Sequence, residues 1–367
     1  MTPSPLRAAV VGLGWAGQQH LAAYAALPDV DLVGLAGMEP KPLRELGERF
    51  GVPPENRFSS WQDLLQHGEL DVVSIAAPTT LHRPIGVAAL DAGIHVLSEK
   101  PLAENSEMGR QLVEAAVRND RVLDVSFNHR RRGVVKALKQ IIDDGQLGEV
   151  YYVKAGWVRR QGIPTLGSWF TRHATSGGGP LMDLGVHMLD IVLHLLGEPQ
   201  VRSATAATYA EFGPRGRGGS VSTTMSKTGV TDGEFDVEDL STAFLRLAGG
   251  ATLLLESSWA QWVPEDLCYV TVYGGDGGAA IDWVPPTPKR SFTVWTEQAG
   301  QPEVLRPTLP PDGGHAECVA DFLAQVRSVG GPPAHGHAAL VRAEVVDACY
   351  ASAAAGHEVA VMSTVNL

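Results

Sequence analysis

The stretch VVGLGWAGQQH, Val10 to His20, decides the fold. It sets Gly12, Gly14 and Gly17 in GxGxxG register, directly after the apolar run Arg7–Val11 and directly before a helical pattern that continues to Leu27. In such a turn the first glycine permits the tight reversal, the second lets a pyrophosphate approach the backbone, and the third lets helix and strand pack closely. The helix that follows offers free N–H groups and a positive dipole end to phosphates. Together with Trp15 and Ala16, these glycines are expected to hold a dinucleotide. A lone GxGxxG is weak evidence; this one opens a series of βαβ units.

Outward from that turn the alternation continues. DLVGLAG (31–37), DVVSIAAP (71–78), HVLSEKP (95–101) and VLDVSFN (122–128) are β-rich runs separated by amphipathic stretches, the longest from Asn105 to Asn119. Strands alternating with helices imply a parallel sheet covered on both faces. This α/β, doubly wound domain is expected to occupy residues 1–126. From residue 127 the pattern changes to strands that alternate polar and apolar residues: GEVYYVKAGWVRR (148–160), STAFLRLAGGATLLLESSWAQW (241–262) and LCYVTVYGG (267–275). They read as antiparallel neighbours with turns at Gly249–Gly250 and Gly274–Gly275. A Gly/Ser/Thr-rich loop is expected over 213–233, and two helices near His315–Val329 and His337–Ala355. The second domain is therefore 127–367.

Composition narrows the function. The chain has 367 residues, longer than one core usually supports. Its formal charge of −12 argues against a nucleic-acid partner. Cys268, Cys318 and Cys349 are widely spaced and odd in number, which fits a reducing compartment. No apolar run is long enough to cross a membrane, and the N-terminus lacks a signal-peptide pattern, so a cytoplasmic location is expected.

The end of the second strand should discriminate NAD from NADP. An acid there would bond the ribose diol, yet Gly37 occupies the position, with Glu39 two residues on and Lys41 and Arg44 close behind. Those cations could meet a 2′-phosphate or be solvated charges, so the preference is open. Glu99 and Lys100 lie at the end of another parallel strand, where ligands of such sheets bind. A lysine there could stabilise a substrate alkoxide.

A second glycine-rich stretch, SGGGPLMDLGVHMLDIVLHLLGEP (176–199), reads as a buried helix carrying Asp183, His187, Asp190 and His194. Asp183 and His187 are four apart and share a face. A carboxylate that fixes an imidazole is a general-base arrangement, whereas Asp190 and His194, deeper along the helix, read as structural. A single metal is excluded for the four together, because they span about 16 Å at ~1.5 Å per residue.

Taken in order, GLGWAG, AAPTTLH, SEKP, SFNHR, DDGQLGEV, GGGPLMDLGVHMLD and DACYASAAAGHEV resemble the Gfo/Idh/MocA family over nearly the full length. The resemblance implies an N-terminal Rossmann domain and a C-terminal α+β domain with a large open, mostly antiparallel sheet that commonly forms the oligomer interface. By position, Lys100 resembles the family's active-site lysine and Asp183 and His187 its Asp–His pair. Ala77, Pro78, Thr79 and His82 resemble cofactor contacts, Glu99 and Asn128 residues near the nicotinamide, and Trp169 an aromatic flanking the site. Gly37 departs from the Asp that many members carry.

The expected activity is NAD(P)-dependent oxidation of a secondary alcohol of a sugar, glycoside or cyclitol. Trp157, Arg159, Arg160, Trp169, Arg172 and His173 are candidates for stacking on a pyranose and binding its hydroxyls, and a solvated sheet face is the plain alternative. A lyase or glycosidase that oxidises its sugar transiently would use the same residues. A dinucleotide-binding regulator would have no need of Lys100, Asp183 and His187. The apolar strands of the second domain predict a homodimer or homotetramer.

Overall fold

A computed structural model describes residues 4–67, 69–219, 235–283, 290–328 and 334–362. Most of the loop expected at 213–233 lies outside the described residues. The helices are α1 (Trp15–Ala25), α2 (Pro40–Arg49), α3 (Trp61–Gln66), α4 (His82–Asp91), α5 (Ser106–Asn119) and α6 (Gly133–Asp143). They continue as α7 (His173–Ser176), α8 (Val186–Leu195), α9 (Gly314–Arg327) and α10 (His337–Ala355). The chain divides into two compact units, Met1–Asn128 with Gly313–Leu340, and His129–Asp312 with Val341–Leu367.

The first unit is built on strands β1 (Leu6–Val11), β2 (Val30–Ala36), β3 (Arg57–Phe58), β4 (Val72–Ile75), β5 (His95–Ser98) and β6 (Leu123–Val125). They form one sheet in the order β3-β2-β1-β4-β5-β6, with every pairing parallel. Ala8, Ala9, Val10, Val72, Val73, Ile75, Val96 and Leu97 are all fully buried, as the strands of a sheet covered on both faces must be. The order reverses between β1 and β4, which makes that crevice the place where ligands of this topology bind.

Residues 313–340 group with the first unit. Helix α9 presents Val319, Phe322 and Leu323, spaced i, i+3, i+4, to the same core as Leu21 and Tyr24 of α1. Beyond it, the Ala334 carbonyl accepts the Leu123 N–H at 2.8 Å beside β6. Long-range packing of this kind leaves no mark in the order of elements along the chain.

The second unit contains β7 (Val150–Val158), β8 (Val201–Tyr209), β9 (Leu240–Leu247), β10 (Thr252–Ser258) and β11 (Leu267–Gly274). It also contains β12 (Gly278–Trp283), β13 (Arg290–Gln298), β14 (Gln301–Leu305) and β15 (Val359–Ala360). The sheet order is β14-β13-β12-β11-β7-β10-β9-β8-β15. Only β7 and β10 pair in parallel; the other neighbours are antiparallel. The β9–β10 hairpin turns at Gly249 and Gly250, whose φ values of 87° and 98° suit glycine alone. Alternate residues Val153, Ala155, Leu253, Leu255, Val270 and Val272 face one core with Met188, Leu189, Ile191 and Val192 of α8.

Candidate active site

In the first unit the glycine turn has the geometry a dinucleotide needs. A Cβ on Gly12, where φ is +95°, would lie 2.2 Å from the Ala76 carbonyl oxygen, and one on Gly17 would lie 1.9 Å from the Gly12 oxygen. Both must be glycine for β1, β4 and α1 to meet. Around Gly14, by contrast, a Cβ would find no atom within 4 Å. Gly14 is also the N-cap of α1, with no side-chain cap and no acid in the first turn. The first N–H groups of α1 are thus left for an external anion, as a pyrophosphate requires. Trp15 follows, 69 % exposed.

At the end of β2, the position of the missing acid is filled from the side. A Cβ on Gly37 would fall 2.6 Å from Leu13 Cδ1, so the Leu13 side chain takes the space where an aspartate would begin. Glu39 is the N-cap of α2 without a side-chain cap bond. On that helix, Lys41 lies 3.9 Å from Glu45, with both side chains well exposed.

The loops after β4 and β5 are tied together by His82. Its Nε2 lies 2.9 Å from the Ala77 carbonyl and its Nδ1 2.8 Å from the Pro101 carbonyl. Burial pushes the His82 pKa down, against the pull of those two carbonyls. Both ring nitrogens face backbone, so His82 holds the Ala77–Pro78–Thr79 loop to the loop that follows Lys100.

Glu99 sits in a buried polar chain that sequence reasoning did not find. Its Oε1 lies 3.0 Å from His20 Nε2 and 3.4 Å from His315 Nε2, while Oε2 accepts the Lys100 N–H at 3.3 Å. His20 Nδ1 is 2.9 Å from Ser74 Oγ, which is 2.9 Å from the Tyr24 hydroxyl; Asn128 Nδ2 is 3.4 Å from His315 Nδ1. Each ring nitrogen of His20 and His315 therefore has a polar partner, with Glu99 shared by the two Nε2 atoms. Burial would raise the Glu99 carboxyl, but the bonds from His20 and His315 outweigh it and hold it well below the usual range. Among the described residues, these three are the one group whose ligand atoms could surround a metal ion. The hydrogen bonds account for the cluster without one. The available signal was His20 on the buried face Gly17–His20–Leu21–Tyr24 of α1; His315 gave none.

In the second unit the expected helix begins as a π-turn, Leu181–Gly185, and becomes α8 only at Val186. Such wide turns recur at functional sites. Asp183 lies on the π-turn and His187 on the first turn of α8, so the pair spans the junction. Asp183 Oδ2 accepts the indole N–H of Trp259 at 2.9 Å. The His187 ring is 6 % exposed and packs edge-to-face with His129, centroids 4.5 Å apart, and at 5.9 Å from Trp157. Arg132 donates from Nε to His129 Nδ1 at 2.8 Å, and the Arg159 guanidinium lies 5.3 Å over the Trp157 ring. Trp157 is therefore beside His187, with Arg159 over its indole. Trp169 stacks on Phe170 at 3.8 Å in a separate turn, and Arg172 is the N-cap of α7. His173 donates its backbone N–H to Asp236, and Arg160 its backbone N–H to Asp266.

The glycine run before the π-turn is used internally. A Cβ on Gly178 would lie 2.0 Å from the Tyr350 hydroxyl, and one on Gly179 2.0 Å from the Glu238 carbonyl. The Glu238 carboxyl accepts the N–H groups of Gly179 and Leu181 at 2.9 and 3.0 Å and the Tyr350 hydroxyl at 2.9 Å. Burial pushes Glu238 up, and these three donors pull it back only in part. The run thus packs against its own unit.

Asp190 is buried between two guanidinium groups. It is 1 % exposed and pairs with Arg130 and with Arg342, whose Nε lies 3.1 Å away and which also bonds Glu198. Burial would raise the Asp190 carboxyl, but the two guanidinium groups hold it below the usual range.

Comparison with known proteins agrees with this architecture. A family model described as "Oxidoreductase family, NAD-binding Rossmann fold" matches residues 6–127, and a "GFO/IDH/MocA C-terminal domain" model matches residues 135–280. The chain is 30 % identical to the D-glucoside 3-dehydrogenase of Escherichia coli (strain K12), over 98 % of both chains. Its fold superposes with a TM-score of 0.82 on levoglucosan dehydrogenase in complex with NADH, at 24 % identity over 98 % of this chain and 99 % of that one. GenD2 from gentamicin A biosynthesis, in complex with NAD, superposes with a TM-score of 0.76 at 27 % identity, covering 100 % of this chain and 98 % of that one.

Proposed function

Because the chain belongs to the Gfo/Idh/MocA family of NAD-binding oxidoreductases, we propose that it oxidises a secondary ring alcohol of a sugar or glycoside, with His187 as the base. The observation that carries this reading is the Asp183–His187 pair at the π-turn, with the His187 ring against His129 and Trp157 and Arg159 over that indole. A guanidinium is a group suited to binding sugar hydroxyls.

A bound nicotinamide would supply the hydride acceptor for the carbinol carbon. The open N-terminus of α1 would hold the pyrophosphate, and the loops joined by His82 would border the rest of the dinucleotide. His187 removes the hydroxyl proton at a ring nitrogen. Lys100, after β5, is the cation proposed to stabilise the developing alkoxide charge. Asp183 orients the site beside His187. The name of the E. coli relative, a D-glucoside 3-dehydrogenase, favours a glucoside among the possible substrates.

The same proposal includes some binding of NADP, on Gly37 and the cations Lys41 and Arg44, and a homodimer or homotetramer built on the outer face of the nine-stranded sheet. That face carries stacked Tyr152 and Tyr273, and Lys154 lies over both rings. A reducing cytoplasm suits the free, buried Cys268, Cys318 and Cys349. Among the described residues no helix is long and apolar enough to cross a membrane.

A panel of glucosides, free sugars and cyclitols with NAD and NADP, read by absorbance of the reduced nicotinamide, tests the activity. Sustained reduction with at least one glycoside is expected. Product formation without net reduction would point to transient oxidation, and tight cofactor binding with no turnover across the panel would remove the dehydrogenase reading.

A further inference from the structure

Trp259 is fully buried at the end of β10, and its indole nitrogen points at the reacting helix. The N–H donates to Asp183 Oδ2 at 2.9 Å, while the Trp259 backbone N–H donates to the Asp239 carbonyl at 2.9 Å. Asp239 is itself fixed, since its Oδ2 accepts the N–H groups of Phe212 and Gly213. The neighbouring Glu238 accepts the N–H groups of Gly179 and Leu181 at the start of the same π-turn. Two consecutive residues before β9 thus fix Asp183 from both ends, one through the backbone of its turn and one through the indole that touches its carboxylate. A buried indole N–H needs an acceptor, and Trp supplies a rigid donor that cannot rotate away as a serine or asparagine could.

We propose that Trp259 is the positioning residue for Asp183, setting the rotamer of the carboxylate that serves His187. The inference rests on the assignment of Asp183 and His187 to catalysis, so its test must separate failure of the one from failure of the other. A hydrogen bond to a charged group gives the expected size, about tenfold or somewhat more in rate.

The test is a double-mutant cycle on turnover in the full-length enzyme, with Trp259→Phe and Asp183→Asn alone and together, alongside NAD affinity and thermal melts. Trp259→Phe should lower kcat about tenfold, with KM and NAD affinity within about twofold. In the Asp183→Asn background it should lower kcat by less than about twofold, because the carboxylate it positions is gone. If loss of the ring's size destabilises the fold, 3-benzothienylalanine at position 259 keeps the outline and removes only the N–H, and the same pattern is expected. Equal kcat losses in both backgrounds, or unchanged turnover with the sulfur isostere, would overturn the positioning role. Unchanged turnover in Asp183→Asn itself would instead overturn the assignment of Asp183 on which it rests.

Discussion

Two glycine-rich segments lead into helices in this chain, and they do opposite things. Gly12–Gly17 leads into α1, whose N-terminus has no side-chain cap and whose middle glycine faces open space. Gly177–Gly179 leads into the π-turn, where the Glu238 carboxyl already accepts the N–H groups of Gly179 and Leu181. Helix starts need an acceptor for their orphan donors. The first unit leaves that need to a phosphate, and the second meets it from its own chain. A glycine run before a helix therefore marks a close backbone approach without saying what approaches.

The largest expected effect breaks the first segment. Gly12→Ala forces a left-handed alanine with its Cβ 2.2 Å from the Ala76 oxygen. Strain and overlap together should cost about 3 kcal/mol or more, and NAD binding by fluorescence titration should be lost. Glu238→Ala breaks the second. It strands two backbone donors and the Tyr350 hydroxyl, so stability should fall by about 2–3 kcal/mol and kcat should fall with it, while NAD affinity stays put. If Glu238→Ala weakened NAD and Gly12→Ala did not, the contrast between the two segments would be wrong.

Glu238→Gln sharpens the contrast through pH. The raised folded pKa of Glu238 means that the native state keeps this proton longer than the unfolded chain does. Stability from this group is then greatest below the ordinary value of 4.5 and is lost as pH rises through the raised folded value. Denaturant titrations from pH 4.5 upward should show that loss in the native enzyme and its absence in Glu238→Gln.

How much of this was legible depends on where each group finds its partner. The parallel sheet could be read from Val10–His20 and the runs after it, because strand and helix periodicity are local. Gly12, Gly14 and Gly17 were legible for the same reason, and so was the Asp183–His187 spacing. Glu238, Trp259 and His315 were not, since each meets its partner dozens of residues away or more and no local pattern encodes the meeting. The π-turn was hidden as well: LMDLG has ordinary helical composition, and tertiary contacts at its start set the wider turn. Asp190 was legible as a buried acid needing partners, but Arg130 and Arg342 come from elements far apart in sequence.

The smallest effect concerns cofactor choice. Removing both cations in Lys41→Ala/Arg44→Ala should weaken NADP by less than about tenfold, as exposed charges on a phosphate do, and leave NAD unchanged. Parallel titrations of the two cofactors would show it. No NADP binding by the native enzyme at millimolar concentration would remove the role proposed for those cations.

The most direct test of the whole account is His187→Ala, assayed for turnover and for NAD affinity in one preparation. Loss of a general base should cut kcat by about 10²–10⁴, with NAD affinity close to that of the native enzyme. A variant that melts early yet turns over normally once folded would make His187 part of the packing around His129 and Trp157, and the base would lie elsewhere.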